Sequence, residues 1–183
     1  VRRVLTSVRR FLMGLGAEGS IRIGHGYDMH RLDVLPPEGE GRPFVLGGVL
    51  IEHSRGPVGH SDADALLHAV TDALLGAIGE RDIGQLFPDT DPRHESQDSE
   101  DFVVEAVKRV ADRGFGVVNL DATVVCQRPK IGPHRDAMCA NIARMLGVGA
   151  DRVNVKGKTH EGVDAVGEER AIEVHCVVLL GKM

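Results

Sequence analysis

Three side chains of types that commonly bind metal ions occur in two short motifs of this chain. Asp28 and His30 stand two residues apart in the segment 21–30, and a strand places alternate residues on one face, so both should project together. Gly24 and Gly26 share that face, where their small size would let a ligand approach the backbone. A carboxylate beside an imidazole forms part of an open metal site, yet an Asp-x-His pair also occurs by chance in surface strands.

The second motif, residues 60–72, begins a helix that carries His68. Ser61 followed by Asp64 resembles a capping box, and apolar residues then repeat at helical spacing as far as Gly79. His60 and Ser61 would lie where free N–H groups and the positive end of the helix dipole favour a phosphate. His68 could reach a metal from this helix, although a single histidine on a helix is more often an ordinary surface residue.

Two further segments are rich in turn-forming and polar residues. Residues 80–91 carry several carboxylates and are interpreted either as a surface loop with Asx turns or as a substrate loop. Residues 126–132 form a compact turn whose backbone could contact a nucleotide base, the alternative being an ordinary connection from strand to helix.

The remaining pattern predicts an α+β fold. Gly47-Gly48 between two apolar runs indicates a hairpin. Helices are predicted at 98–113, with Asp98 or Ser99 as the cap and Gly114 as the terminator, and at 133–147. Strands are predicted at 117–127, 152–159 and 170–180. This order indicates a mixed sheet with helices packed on one face, and self-association is an economical way to cover the other. His25 and Tyr27 point away from Asp28 and are interpreted as packing residues.

The amino-acid composition restricts the kinds of ligand that this chain could bind. With 22 Lys and Arg against 27 Asp and Glu, the formal net charge is −5, which argues against nucleic-acid binding through a general basic field. A phosphate-bearing ligand would therefore need metal ions, backbone N–H groups and a few local cations. No apolar run suits a membrane span. The three cysteines are far apart in sequence and are interpreted as buried thiols of a reducing compartment.

Residues 1–20 differ from the rest, because four arginines precede the first acidic residue. We expect a disordered or dispensable extension followed by a single catalytic domain at 21–183, and a cytoplasmic location. An organelle transit peptide has a similar composition, so a plastid location is the alternative.

Several strings, in order along the chain, resemble the 2-C-methyl-D-erythritol 2,4-cyclodiphosphate synthase family of the non-mevalonate isoprenoid pathway. They are RIGHGYDMHRL, VLGGVLI, GHSDADALLHAVTDALLGA, RDIGQLFPDTDP, QRPKIGPH and DRVNVKGKTHEG. The resemblance implies a homotrimer whose sheets face the trimer axis and whose active sites lie between subunits. It also implies the reaction, in which the 2-phosphate of 4-diphosphocytidyl-2-C-methyl-D-erythritol 2-phosphate attacks the β-phosphorus and CMP leaves.

The same resemblance implies roles for individual residues. Zinc, or another divalent transition metal, would bind Asp28, His30 and His68 and keep a fourth position open, as catalytic zinc sites do. Glu161 would bind a second divalent ion, magnesium or manganese. The implied erythritol and phosphate contacts are His60, Ser61, Asp82, Gly84, Phe87 and Asp89. The implied nucleotide contacts are Cys126, Pro129, Lys130, Ile131, Lys158 and Thr159.

The chain departs from the family pattern in two places. Lys158 replaces a threonine, which adds a cation near the expected phosphates. In the segment 162–171, Ala165 and Glu168 replace the phenylalanine and arginine that are usual in the family. In the family, that phenylalanine and arginine surround a cavity on the trimer axis that can hold isoprenoid diphosphates. We therefore do not expect such binding here.

Two other functions remain open at this point. A metal-dependent phosphohydrolase would need Asp64, Asp72 or Asp89 to activate water. A non-catalytic trimeric scaffold would keep zinc for structure alone, although structural zinc is usually closed by four ligands.

Overall fold

The computed structural model describes residues 20–59, 61–88 and 97–183. Its strands are β1 (Ile21–Val34), β2 (Phe44–Leu46), β3 (Val49–Ile51), β4 (Arg55–Pro57), β5 (Phe115–Val125), β6 (Val153–Lys158) and β7 (Ala171–Lys182). Its α-helices are α1 (Ala65–Ala77), α2 (Ile83–Leu86), α3 (Ser99–Asp112), α4 (Arg135–Leu146) and α5 (Asp164–Gly167). Short 3-10 turns cover Gly132–His134 and Ala150–Arg152.

The main sheet has five strands in the order β4-β1-β7-β5-β6. Only β5 and β6 run parallel in it, so the sheet is mixed, and the α+β class predicted from the sequence is confirmed. The hairpin of β2 and β3 stands apart, and its turn residues Gly47 and Gly48 have φ angles of 59° and 69°. These left-handed angles are the ones a tight hairpin turn requires, as the two glycines indicated.

Helix α1 lies unusually close to β1, and the two strand glycines make this possible. A Cβ built on Gly24 would lie 1.8 Å from the carbonyl oxygen of Ala73, and one on Gly26 would lie 1.9 Å from that of Ala69. The interpretation that these glycines leave room for a ligand is therefore wrong. The helix backbone occupies the space, and any side chain here would push α1 off the sheet.

Helices cover one face of the sheet. Helix α1 packs on β1 and β7, α3 on β5, and α4 on β6. The opposite face leaves large apolar side chains in contact with solvent, among them Ile23, which is 69% exposed, and Met29, which is 54% exposed. His25 and Tyr27 also lie on this face and are exposed, so in the single chain they are not packing residues.

Most element boundaries agree with the sequence patterns to within a few residues. Helix α3 begins after the capping residue Asp98 and is followed by Gly114 at a φ of 76°, as expected. The short helices α2 and α5 and strand β4 were missed, because four or fewer residues carry no periodicity. Of the extension at 1–20, only Ser20 is described, and its carbonyl accepts a hydrogen bond from Lys182 N. The rest of the extension lies outside the described residues.

All three cysteines are free and buried, as predicted. Within the described ranges, none of the helices has the length and apolar content needed to span a bilayer.

Candidate functional site

Asp28, His30 and His68 meet where β1 passes helix α1. The Oδ2 atom of Asp28 lies 3.0 Å from Nε2 of His30 and 3.1 Å from Nδ1 of His68. The two imidazole nitrogens are 3.2 Å apart. The ligand atoms therefore form a nearly equilateral triangle, built from two elements that are far apart in sequence.

This triangle fits a divalent metal ion. Ligand atoms about 2.0–2.1 Å from a tetrahedral zinc ion stand about 3.3 Å from one another, close to the three observed separations. Burial raises the pKa of Asp28, but its hydrogen bonds to the two imidazoles outweigh burial and hold that pKa well below its usual range. For His30, burial lowers the pKa and Asp28 reverses the shift, so the net change is upward. The three residues could thus hold a divalent ion.

Further hydrogen bonds orient both histidines. The ring of His30 bonds to the backbone of Val58. Nε2 of His68 lies 2.9 Å from Oγ of Ser99 and 3.2 Å from Oγ of Ser61. Outer partners of this kind fix the ring orientation and leave the other nitrogen facing the metal position.

The contact between Ser99 and His68 was missed from the sequence. Ser99 was considered only as an alternative helix cap, but Asp98 is the cap and the Ser99 side chain points inward, fully buried. Its hydroxyl also bonds to Asp62, whose other oxygen accepts Ser99 N at 3.2 Å. No local pattern could reveal this pairing, since it depends on how α3 packs against the start of α1.

The start of α1 differs from the prediction. Asp64 caps the helix, and its Oδ1 atom accepts hydrogen bonds from Leu66 N and Leu67 N at 3.0 Å each. The expected free N–H groups are therefore already occupied, and Ser61 lies before the cap. Its Oγ accepts Ala63 N at 3.1 Å. His60 lies outside the described residues.

Asp64 also joins the helix to the hairpin turn. Its carboxylate accepts Gly47 N at 2.9 Å and Gly48 N at 2.7 Å, and the residue is fully buried. Burial raises its pKa, and the backbone hydrogen bonds from Gly48, Gly47 and Leu67 oppose the rise. With its oxygens engaged and no access to solvent, Asp64 cannot activate a water molecule, which removes one of the three alternative bases considered for a phosphohydrolase.

The segment after α1 forms a small polar pocket. Asp82 caps α2, and Oδ1 of Asp72 accepts a hydrogen bond from Ile83 N at 2.8 Å. A cavity of about 340 Å³ is lined by His25, Asp72, Gly76, Glu80, Arg81, Asp82 and Gln85. Gly84 stands beside Asp82 but does not line this cavity in the described chain.

Phe87 lies between this segment and the triangle of Asp28, His30 and His68. Its ring lies 4.7 Å from that of Phe102, centroid to centroid, and the Phe102 ring lies 6.1 Å from that of His68. An aromatic wall therefore runs from the end of α2 towards the cluster. Asp89, the last implied residue of this set, lies outside the described residues.

A second cavity, of about 430 Å³, gathers most of the implied nucleotide residues. Its lining is Cys126, Lys130, Ile131, Gly132, Pro133, Gly157, Lys158, Thr159 and Glu161. Pro129 belongs to the same turn but is not part of that lining in the described chain. Burial raises the pKa of Cys126 to about 12, so its thiol stays protonated near neutral pH.

Glu161 is held in an unusual conformation. Its φ is 50°, in the left-handed region that non-glycine residues rarely adopt, and its Oε1 accepts a hydrogen bond from Oγ1 of Thr159 at 2.8 Å. Strained backbone of this kind is found preferentially at functional sites. In the described chain, the three residues of the metal triangle do not line this cavity.

Comparison with known proteins is consistent with this arrangement. A sequence model of the YgbB family matches residues 21–181. The chain is 54% identical over 161 residues to 2-C-methyl-D-erythritol 2,4-cyclodiphosphate synthase of Bordetella avium, with 88% of this chain and 96% of that protein covered. It is 49% identical to the chloroplastic protein of that name from Arabidopsis thaliana, covering 88% of this chain and 67% of the relative.

Among solved structures, the chain resembles the IspF protein of Plasmodium falciparum in complex with CDP. The TM-score is 0.78 at 36% identity, and the match covers 91% of this chain and 99% of the other.

Proposed function

The chain belongs to the YgbB family, and from that premise we propose that it is a cyclodiphosphate synthase. It converts 4-diphosphocytidyl-2-C-methyl-D-erythritol 2-phosphate to 2-C-methyl-D-erythritol 2,4-cyclodiphosphate and releases CMP. A 2-phosphate oxygen forms a bond to the β-phosphorus as the bond from that phosphorus to the CMP oxygen breaks. The observation that carries the proposal is the triangle of Asp28, His30 and His68, which can hold a metal with three protein ligands.

The chemistry of the ligand set favours zinc at the triangle. One carboxylate and two imidazoles are the mixed oxygen and nitrogen donors of catalytic zinc sites. Glu161 is proposed to hold magnesium or manganese. Bound metal ions would supply Lewis-acid polarisation of the phosphates and neutralise their charge, which an acidic chain of net charge −5 needs for a polyanionic substrate.

The protein's own residues serve to position the substrate. Intramolecular attack needs two mutually repelling phosphates to be brought into line, a task of orientation rather than of protein nucleophiles. Lys130 and Lys158 line the second cavity, and we propose that they contact phosphates of the substrate. Lys158, the substitution noted in the sequence, adds to this positive charge.

The second cavity is proposed to take the cytidine group. The Plasmodium falciparum relative is a CDP complex, which supports a cytidine nucleotide as a ligand. Cys126, Pro129 and Ile131 would present the turn to the base, and Thr159 would hold the Glu161 carboxylate. The erythritol and its phosphate are assigned to His60, Ser61, Asp82, Gly84, Phe87 and Asp89.

We further propose a homotrimer with active sites between subunits. The metal triangle is not part of the lining of the nucleotide cavity in the described chain, so one substrate molecule is expected to use the triangle of one subunit and the cavity of its neighbour. The exposed apolar face of the sheet, with Ile23 and Met29, would be buried in the assembly. We assign the enzyme to the cytoplasm, or to a plastid if residues 1–20 are a transit peptide.

The two other functions are not favoured. Asp64 is a fully buried cap whose two oxygens accept four backbone hydrogen bonds, which removes one candidate for the general base of a phosphohydrolase. A structural zinc site usually has four protein ligands, whereas this cluster has three.

Incubation of the purified protein with the cytidyl substrate, zinc and magnesium, followed by phosphorus NMR, tests the proposal. We expect CMP and a cyclic diphosphate in equal amounts. Glu161→Gln should keep the metal of the triangle but lose most turnover, because its neutral amide binds magnesium poorly. Release of CMP with an open-chain diphosphate would instead indicate hydrolysis, and no turnover by the wild type would favour a scaffold.

A further inference from the structure

Two imidazole groups lie side by side on the sheet face that the helices leave open. The register of β1 and β7 pairs Tyr27 with His175 and His25 with Val177, so His25 and His175 are diagonal neighbours on one face. Nε2 of His25 lies 3.4 Å from Nδ1 of His175. Asp28 projects from the opposite face of β1, so this pair is distinct from the metal triangle.

A carboxylate fixes the tautomer of one of these histidines. Nε2 of His175 donates a hydrogen bond to Oε1 of Glu173 at 2.9 Å. A neutral imidazole with its proton on Nε2 carries its lone pair on Nδ1, the atom that faces His25. Metal-binding histidines commonly donate their second N–H to a carboxylate in this way, which fixes the tautomer and orients the ring. Glu173 therefore presents His175 as a ready ligand.

The separation of the two nitrogens also fits a metal ion. Two nitrogens bound to a tetrahedral zinc ion at 2.0–2.1 Å stand about 3.3 Å apart, close to the observed distance of 3.4 Å. We infer that His25 and His175 form a second site for a divalent transition metal, with Glu173 as its positioning carboxylate. Imidazole ligands suit zinc, copper and nickel, and water or a second copy of the chain completes the coordination.

The same atoms also permit a metal-free arrangement, in which Nε2–H of His25 donates to Nδ1 of His175. The two arrangements differ in one respect that can be measured. In the metal site the lone pairs of both nitrogens point at a common ion, so loss of either ring abolishes binding. In the hydrogen-bonded arrangement the protein binds no additional metal, and loss of either ring leaves the metal content unchanged.

Equilibrium dialysis of the full chain against buffered free zinc measures this difference. The wild type should show two classes of bound zinc, one lost in His68→Ala and the other in His25→Ala or His175→Ala. His68→Ala/His175→Ala should bind neither. Glu173→Gln keeps both rings and should weaken the second class by roughly 10–100-fold, the usual effect of removing such a partner.

His134→Ala, which removes one imidazole from the 3-10 turn before α4, is the control and should retain both classes. His25 and His175 lie on the sheet face away from the helices of their own chain, so their replacement should not prevent that chain from folding, and circular dichroism checks this. A second class of zinc that persists in both His25→Ala and His175→Ala, or a wild type with a single class, would overturn the assignment. Because the measurement is of bound metal, its outcome does not depend on whether the chain has cyclase activity.

Discussion

One face of strand β1 holds Gly26 beneath helix α1 and places Asp28 and His30 in the metal cluster, whereas the other face exposes Ile23 and Tyr27. The inner face is determined by atoms of the same chain, since a Cβ at Gly26 would overlap a helix carbonyl. The outer face makes few contacts within the chain, and Ile23 is 69% exposed. Residues on the inner face are therefore constrained by the packing of α1 and by the metal site. Residues on the outer face are little constrained by contacts within the chain.

The largest effect is expected from removing a metal ligand on the inner side. His68→Ala takes one corner from the triangle, so the protein should lose its bound metal at that site. A bound metal would stabilise the transition state by several kcal/mol, so its loss should lower turnover by roughly 10³-fold. Metal content by mass spectrometry and turnover by phosphorus NMR check this, with His134→Ala as control. An unchanged zinc content in His68→Ala would contradict the ligand assignment.

The second effect tests the close contact of strand and helix. Gly26→Ala places a methyl group 1.9 Å from the carbonyl oxygen of Ala69, so the free energy of unfolding should fall by about 3 kcal/mol or more, because backbone must move. Urea unfolding measures it.

Gly76→Ala is the matched control for this substitution. Its added methyl would meet only the backbone oxygen of His25 at 3.8 Å, an ordinary contact, and Gly76 lies within α1. Because alanine favours helix, this variant should be up to about 1 kcal/mol more stable than the wild type. Equal stability of the two variants would show that the contact is not tight in solution.

A smaller effect on metal binding is expected from Ser99, which contacts a metal-binding histidine and not the metal position itself. Ser99→Ala removes the hydroxyl that lies 2.9 Å from Nε2 of His68, and zinc affinity should fall by roughly 10–100-fold while the fold is kept. Thr71→Val is the control, because it removes another buried hydroxyl, one that donates to Leu67 O at 2.8 Å and not to the cluster. Competition with a zinc chelator measures both, and an equal loss in the two variants would refute a specific role for Ser99.

The smallest effect on the stability of the single chain is expected from a substitution on the outer face of β1. Ile23→Ser should change the free energy of unfolding of the single chain by at most about 0.5 kcal/mol, because the side chain is exposed. If the sheet face is buried in a trimer, the same change should shift sedimentation towards smaller species. Leu50→Ser, on β3 and 68% exposed, is a matched control. A trimer that is equally stable in both variants would place the interface elsewhere.

The sequence predicted some features of the two faces of β1 and of the metal site, but not others. Period two correctly assigned Asp28 and His30 to one face, and periodicity located α1, α3 and α4, because these signals depend on residues close in sequence. The contact between Ser99 and His68 could not be predicted, since it arises from packing of two helices.

The roles of Gly26 and Asp64 were also misjudged, and for a related reason. A small residue in a strand or an acidic residue before a helix is compatible with several partners, and the sequence does not specify which one is near. Only the path of α1 over β1 shows that a helix backbone lies above Gly26. Likewise, only the position of the hairpin turn shows that Asp64 has four donors around it rather than two.

The shared cap at Asp64 has a consequence for how this protein folds. A fully buried carboxylate is tolerable only when its donors are in place, and here two donors belong to the hairpin turn and two to the first turn of α1. Neither element can keep the burial of Asp64 favourable without the other. The hairpin and the helix should therefore form and open as one cooperative unit, with the amides of Gly47 and Leu66 exchanging their hydrogens at matched rates.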